Sequence, residues 1–162
     1  MEFIDYMNAW VKSELTQGRI MVGIGLLLLV ALFFIFKSQH ELLRGAMIPL
    51  ALLTLVLVGY GGSILYSRPA HAKASIERYQ QSQEDAIEQE IAKHINDNKA
   101  GNMLMKWVYP SIMLLSLIVL VLVGSFYYKG MAIGFILLAA SIYIIDYGFV
   151  SRSDAFIAFL NG

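Results

Sequence analysis

The chain of 162 residues has no cysteine, three prolines, and only 15% charged residues. The missing cysteines exclude disulfides, thiolate zinc sites, iron–sulfur clusters and cysteine nucleophiles together. The charged fraction is well below the roughly 25% of a soluble domain. Twelve basic and twelve acidic residues cancel, so no field of one sign gathers nucleic acid, and no nucleic-acid partner is expected. Catalytic signatures are missing too: there is no HExxH, no GxSxG, no P-loop and no GxGxxG. Three histidines are present, and only His71 and His94 are placed to approach each other, near Glu77 or Glu90. Metal ligation needs three or four converging ligands, so neither a metal nor a cofactor is expected, and the chain reads as a non-enzyme.

Hydrophobicity is what the chain has in excess. Apolar residues make up 58% of it, and mean hydropathy is +0.64. Disorder is thereby excluded. Crossing a bilayer takes roughly 20 apolar residues. Four runs qualify, 20–36, 46–66, 107–128 and 130–150, and Asp146 is the one charge inside them. Leu26 to Val30 and Leu117 to Val123 are apolar on every helical face, which a soluble bundle does not tolerate. The expected fold is an all-α integral membrane protein. It is a four-transmembrane-helix bundle with an N-terminal interfacial helix and a cytoplasmic helical hairpin between spans 2 and 3.

The segments follow from local signals. Residues 1–18 read as an interfacial amphipathic helix, with Phe3, Met7, Trp10 and Glu14 near one spacing and Tyr6 and Trp10 suited to headgroups. Residues 19–67 form a first transmembrane hairpin, 68–106 a polar loop, 107–150 a second transmembrane hairpin, and 151–162 an interfacial tail. In the tail Ser153 caps a short turn, and Phe156, Ile157, Phe159 and Leu160 lie in the interface. Within the loop, Pro69 after Ser67 and the Ser82–Asp85 capping box predict helices over 70–81 and 83–98, stopped at Asn98 to Gly101. Tyr127 to Gly130 reads as a tight turn between spans 3 and 4. Nine basic residues fall on the side of the termini and the loop, against three on the other. That bias predicts a bacterial-type inner (plasma) membrane with both termini and the loop in the cytoplasm.

Three groups of residues stand out. Asp146 lies about 6 Å from the inner boundary, where Arg19, Arg68, Lys106 and Arg152 also fall, so an interfacial charge cluster is expected. Gly59, Gly61, Gly62 and Ser63 on span 2, and the GxxxG pair Gly130 and Gly134 on span 4, permit close helix packing and suggest a homo-oligomer. Ile87, Ile91 and Ile95 form a stripe for packing within the hairpin or for a protein partner. Besides the lipid bilayer, these are the expected partners. The function expected is that of a small polytopic membrane protein acting by binding, in a regulatory, sensory or protective immunity-type role. The alternative is a homo-oligomeric channel or transporter for an ion or small solute.

Overall fold

The structure is a computed structural model, and it describes residues 3–161. Residues 1 and 2 of the expected interfacial segment and residue 162 of the expected tail lie outside the described residues. Five α-helices follow one another: α1 Phe3–Lys37, α2 Glu41–Gln81, α3 Gln83–Met103, α4 Tyr109–Leu122 and α5 Phe126–Leu160. A π-helical turn, Leu104–Val108, joins α3 to α4 without a break. Four of the resulting rods are long and apolar enough to cross a membrane. The chain is all-helical in its described residues and compatible with a four-helix bundle.

Three-residue links, 38–40 and 123–125, sit at one end. The chain termini and the α2–α3 hairpin gather at the other. In the apolar half α2 and α5 form the central pair; α1 flanks α2, and α4 flanks α5. α1 and α4 lie on opposite flanks and do not pack on each other. Their outer faces are accordingly bare: Leu27 is 72% exposed and Val121 80%. Such faces suit lipid rather than water.

Two cores hold the elements together. Met21, Leu53, Leu57, Ile64 and Leu138 fill the space between α1, α2 and α5. The second core sits at the hairpin end, where Phe3, Met7, Trp10 and Val11 of α1 meet Ala72 of α2 and Phe156 of α5. Phe156 and Met7 are fully buried there, each contributing about 1.5–3 kcal/mol. Tyr6 stacks on Phe156 and Phe159, and Phe3 stacks on Tyr79.

This core changes several sequence-based boundaries. No break separates residues 1–18 from the first apolar run, because α1 is one helix of 35 residues. Its amphipathic face covers α2 and α5, so the aromatic residues find protein partners instead of headgroups. The expected interfacial tail is the last part of α5, and Phe156 is buried in protein rather than lying in an interface. Ser153 is likewise mid-helix and caps nothing. Nor does Pro69 start a helix: α2 runs through it for 41 residues, about 61 Å. The Ser82 cap is as read, with its hydroxyl accepting from Asp85 N–H at 3.4 Å. The stop at Asn98 to Gly101 is overridden, and the helix continues to Met103. Pro110 has no N–H to give, and the ladder widens just before it, Tyr109 N–H reaching back to Leu104 carbonyl. Finally, the turn expected at Tyr127 to Gly130 lies earlier, at 123–125, and those residues open α5.

Glycine marks where the central pair comes closest. A Cβ on Gly45 would overlap the Tyr127 carbonyl, and one on Gly130 would overlap the Leu42 carbonyl. A Cβ on Gly134 would run into the Pro49 ring. The GxxxG pair on span 4 is therefore occupied inside the chain, by α2. Gly61 meets Gly18 and Met21 of α1. By contrast, Gly59 and Gly62 face open space and Ser63 is exposed, so three of the four small residues singled out on span 2 pack against nothing.

Candidate functional site

A charge on an apolar stripe must find a partner or protonate. Glu14 follows Phe3, Met7 and Trp10 on the inward face of α1 and is 1% exposed. Two guanidiniums come to it. Arg152 of α5 donates from Nε to Glu14 Oε1 at 2.9 Å. Arg68 of α2 places Nε 3.3 Å from Oε2, at ion-pair distance but off hydrogen-bond alignment. Gln17, one turn on, accepts from Arg152 and donates to the Ile145 carbonyl at 3.2 Å. Arg68 also lies over the Trp10 ring, 5.2 Å from its centroid. Three helices are thus tied at one acid. Burial raises the Glu14 carboxyl above its ordinary range, and the two guanidiniums offset only part of that rise.

The hairpin supplies a second polar row. Ala86, Glu90, His94 and Asn98 are the buried residues of α3, spaced four apart on one face. The expected apolar stripe is one residue out of register: Ile87 is only partly buried and Ile95 is 54% exposed. A polar row buries here because α2 and α5 present polar partners to it. His71 Nε2 lies 3.0 Å from Glu90 Oε2 and 3.1 Å from Lys93 Nζ. One nitrogen cannot serve both: protonated, it donates to Glu90; bare, it accepts from Lys93. His94 Nδ1 shares a hydrogen bond of 2.6 Å with Ser153 Oγ, and Asn98 donates to Asp154 at 2.6 Å. The approach of His71 and His94 to Glu90 follows the sequence reading.

Titration of this row is shaped by its surroundings. Burial, reinforced by the Lys93 ammonium, pushes His94 down to about 4. Burial would raise Glu90, but the His71 hydrogen bond and the positive charges nearby outweigh it and hold the carboxyl low. Both groups bind fewer protons folded than unfolded, so stability rises with pH through their range. For His94 the loss begins as pH falls through about 6.5, its unfolded value, and is complete near 4. We expect acidification from pH 7 to pH 5 to remove about 2 kcal/mol through His94 alone. Melting in detergent at the two pH values checks this, and His94→Gln should flatten the difference. An equal drop in the variant would place the acid sensitivity elsewhere.

The charge cluster expected around Asp146 does not form. Asp146 instead accepts from the Tyr109 hydroxyl of α4 at 2.5 Å and makes no ion pair among the described residues. Arg68 and Arg152 turn to Glu14, whose full burial demands them, while Arg19 and Lys106 stay exposed. Asp146 and Arg68 nevertheless share a cavity of about 320 Å³ where α1, α2, α3 and α5 converge. Glu14, His94 and Asp97 line it as well, and Trp10, Tyr60 and Phe149 supply aromatic walls. Trp10 Nε1 and His94 Nε2 are buried without a hydrogen-bond partner. Sequence reasoning missed Glu14 and Glu90 as the organising acids. For Glu14 the signal was available, since it occupies an inward register position where an apolar residue is the rule; for Glu90 it was not, since the isoleucine stripe points to the neighbouring face. No group of three or more metal-ligating side chains gathers among the described residues. Compared with protein-family models, with curated proteins and with solved structures, the chain matches none.

Proposed function

We propose that the chain is a multi-pass protein of a bacterial-type inner membrane, with termini and hairpin in the cytoplasm, that acts by binding rather than catalysis. Its ligand site is the polar cavity at the hairpin end, and its role is sensory or regulatory. One observation carries this reading. Three acids, Glu14, Asp97 and Asp146, line the cavity against one base, Arg68, and neither aspartate has a basic partner among the described residues. A surplus of negative charge beside Trp10, Tyr60 and Phe149 suits a small organic cation, since an ammonium gains from both carboxylates and aromatic faces. The volume falls at the small end of ligand sites, roughly 300–1,000 Å³. Helices α1, α2, α3 and α5 all reach the cavity, so occupancy is felt by both the hairpin and the apolar half.

The test is a melting series of the full chain in detergent with ethylammonium and tetramethylammonium, and with acetate as the anionic control. We expect saturable stabilisation by the amines, weakened about tenfold in Asp97→Asn, an exposed position that leaves folding alone. Equal response to acetate, or none to either amine, would reject the site. Single-cysteine labelling at Gln83 and Gln39 checks the sidedness.

A second reading draws support from the open order of the helices. The bare outer faces of α1 and α4 suit a second copy as well as lipid, which keeps a homo-oligomeric channel in view. A monomer in nanodiscs would remove it. On the hairpin, the exposed Ile95 leaves part of the isoleucine stripe open to a protein partner.

A further inference from the structure

A larger, apolar cavity of about 590 Å³ opens between α1 and α5 where both lean on α2. Ile20, Ile24 and Leu28 wall it on one side and Ile144 on the other, over a floor of Leu53 and Leu57. On α1 the wall runs from Ile20 to Leu28, about 12 Å; on α5 it runs from Leu137 to Gly148, about 16 Å. One leaflet of a bilayer holds about 15 Å of hydrocarbon. The groove is therefore one leaflet deep.

Its polar end lies toward the termini. Gln17 and Ile20 also border a shallow hollow shared with Lys12, Ser13, Thr16 and Arg152. Lys12, Thr16 and Arg19 recur at i, i+4 and i+7, one face of α1. Arg152 is already held by Glu14 and Gln17. Lys12 and Arg19 are exposed and make no ion pair among the described residues. The nearest acid on that face, Asp5, is two turns further out, about 10 Å along the axis. An apolar slot of leaflet depth thus ends beside a hollow bordered by one uncompensated cation, Lys12, while Arg19 borders neither.

We propose that this groove seats one acyl chain of an anionic phospholipid, with the lipid phosphate against Lys12. The proposal rests on the membrane reading above but not on the polar cavity. A chain in the groove brings its headgroup to the hollow that Lys12 borders, and apolar burial and charge then act on one molecule. Inorganic phosphate alone has no share in the groove, and a zwitterionic lipid carries an ammonium that offsets its phosphate beside the cation.

The full chain, extracted from membranes and delipidated in mild detergent, is titrated with phosphatidylglycerol, phosphatidylethanolamine and inorganic phosphate. Native mass spectrometry and melting temperature report binding. We expect phosphatidylglycerol to bind and stabilise, phosphatidylethanolamine to bind at least about tenfold more weakly, and phosphate to do neither. Lys12→Gln, at an exposed position, should weaken phosphatidylglycerol about fivefold, whereas Arg19→Gln, exposed but outside groove and hollow, should leave it unchanged. Ile24→Trp should fill the groove and abolish binding. Equal affinity for the two lipids, or unchanged affinity in Lys12→Gln, would overturn the lipid seat while leaving the membrane reading intact. Dimers that persist in excess phosphatidylglycerol and vanish in Ile24→Trp would assign the groove to a second copy instead. Release of the chain from membranes by an alkaline wash alone would overturn the membrane reading and this proposal with it.

Discussion

Replacing Glu14 with alanine is expected to destabilise the folded chain by about 3–5 kcal/mol. Arg68 and Arg152 both address this carboxylate, which is 1% exposed, from different helices. Removing it leaves two guanidiniums facing each other in a space closed by Trp10, with their mutual repulsion unopposed. The interaction that ties α1 to α2 and α5 at the hairpin end goes with it. Breaking a buried pair costs more than the pair contributes, because the remaining charge stays desolvated. A triple variant, Glu14→Met with Arg68→Met and Arg152→Met, should for that reason melt above Glu14→Ala. Denaturant titration in micelles reads both. Wild-type stability of Glu14→Ala would mean that the two arginines are well hydrated without it.

The second large effect is expected at the crossing of α2 and α5. Gly130→Leu should cost about 3 kcal/mol or more, since even a Cβ there overlaps the Leu42 carbonyl and its Cα. Neither neighbour is a flexible side-chain tip, so the two helices themselves must separate. Gly45→Leu meets the same obstacle from the other side, at Tyr127. Gly59→Leu and Gly62→Leu are the matched controls. Both positions face open space within the same apolar helix, so these variants should equal or slightly exceed the wild type, gaining up to about 1 kcal/mol in helix propensity. Thermal melting of the four variants separates the outcomes. If all four behaved alike, glycine content rather than close approach would be what matters on these helices.

The four rods were legible because their signal is crude: length and uniform apolarity decide it. Boundaries were less so. Pro69 and Gly101 are helix punctuation in a local reading, yet α2 and α3 run through them, held by a hairpin core that no local window contains. Tyr127 to Gly130 resembles a turn for the same reason, and the small residue that looked like a break is instead what lets α5 touch α2. At the site, Asp146 drew attention as the one charge in an apolar run, but a tyrosine 37 positions away satisfies it. Glu14 shares the spacing of Phe3, Met7 and Trp10 along α1. Its partners lie on two other helices, and sequence spacing does not report such distances. The register of α3 shows the limit well: a run of isoleucines outranks Glu90 and His94 in any hydrophobic count, but the buried row is decided by what α2 and α5 offer opposite it.

The continuity of α2 has a mechanical consequence. Some 15 of its residues, 67–81, continue past the apolar run, an extension of about 22 Å that carries the α3 hairpin. A rod of that length turns angle into displacement: a tilt of about 10° within the apolar part would swing its far tip by about 4 Å. Pro69 sits at the root of this arm, where the missing N–H leaves the Leu65 carbonyl without its usual partner and bending is cheapest. Any tilt of the apolar part of α2 is thereby carried to the hairpin, and Arg68, the residue just before the joint, ties this point of the arm to Glu14 of α1.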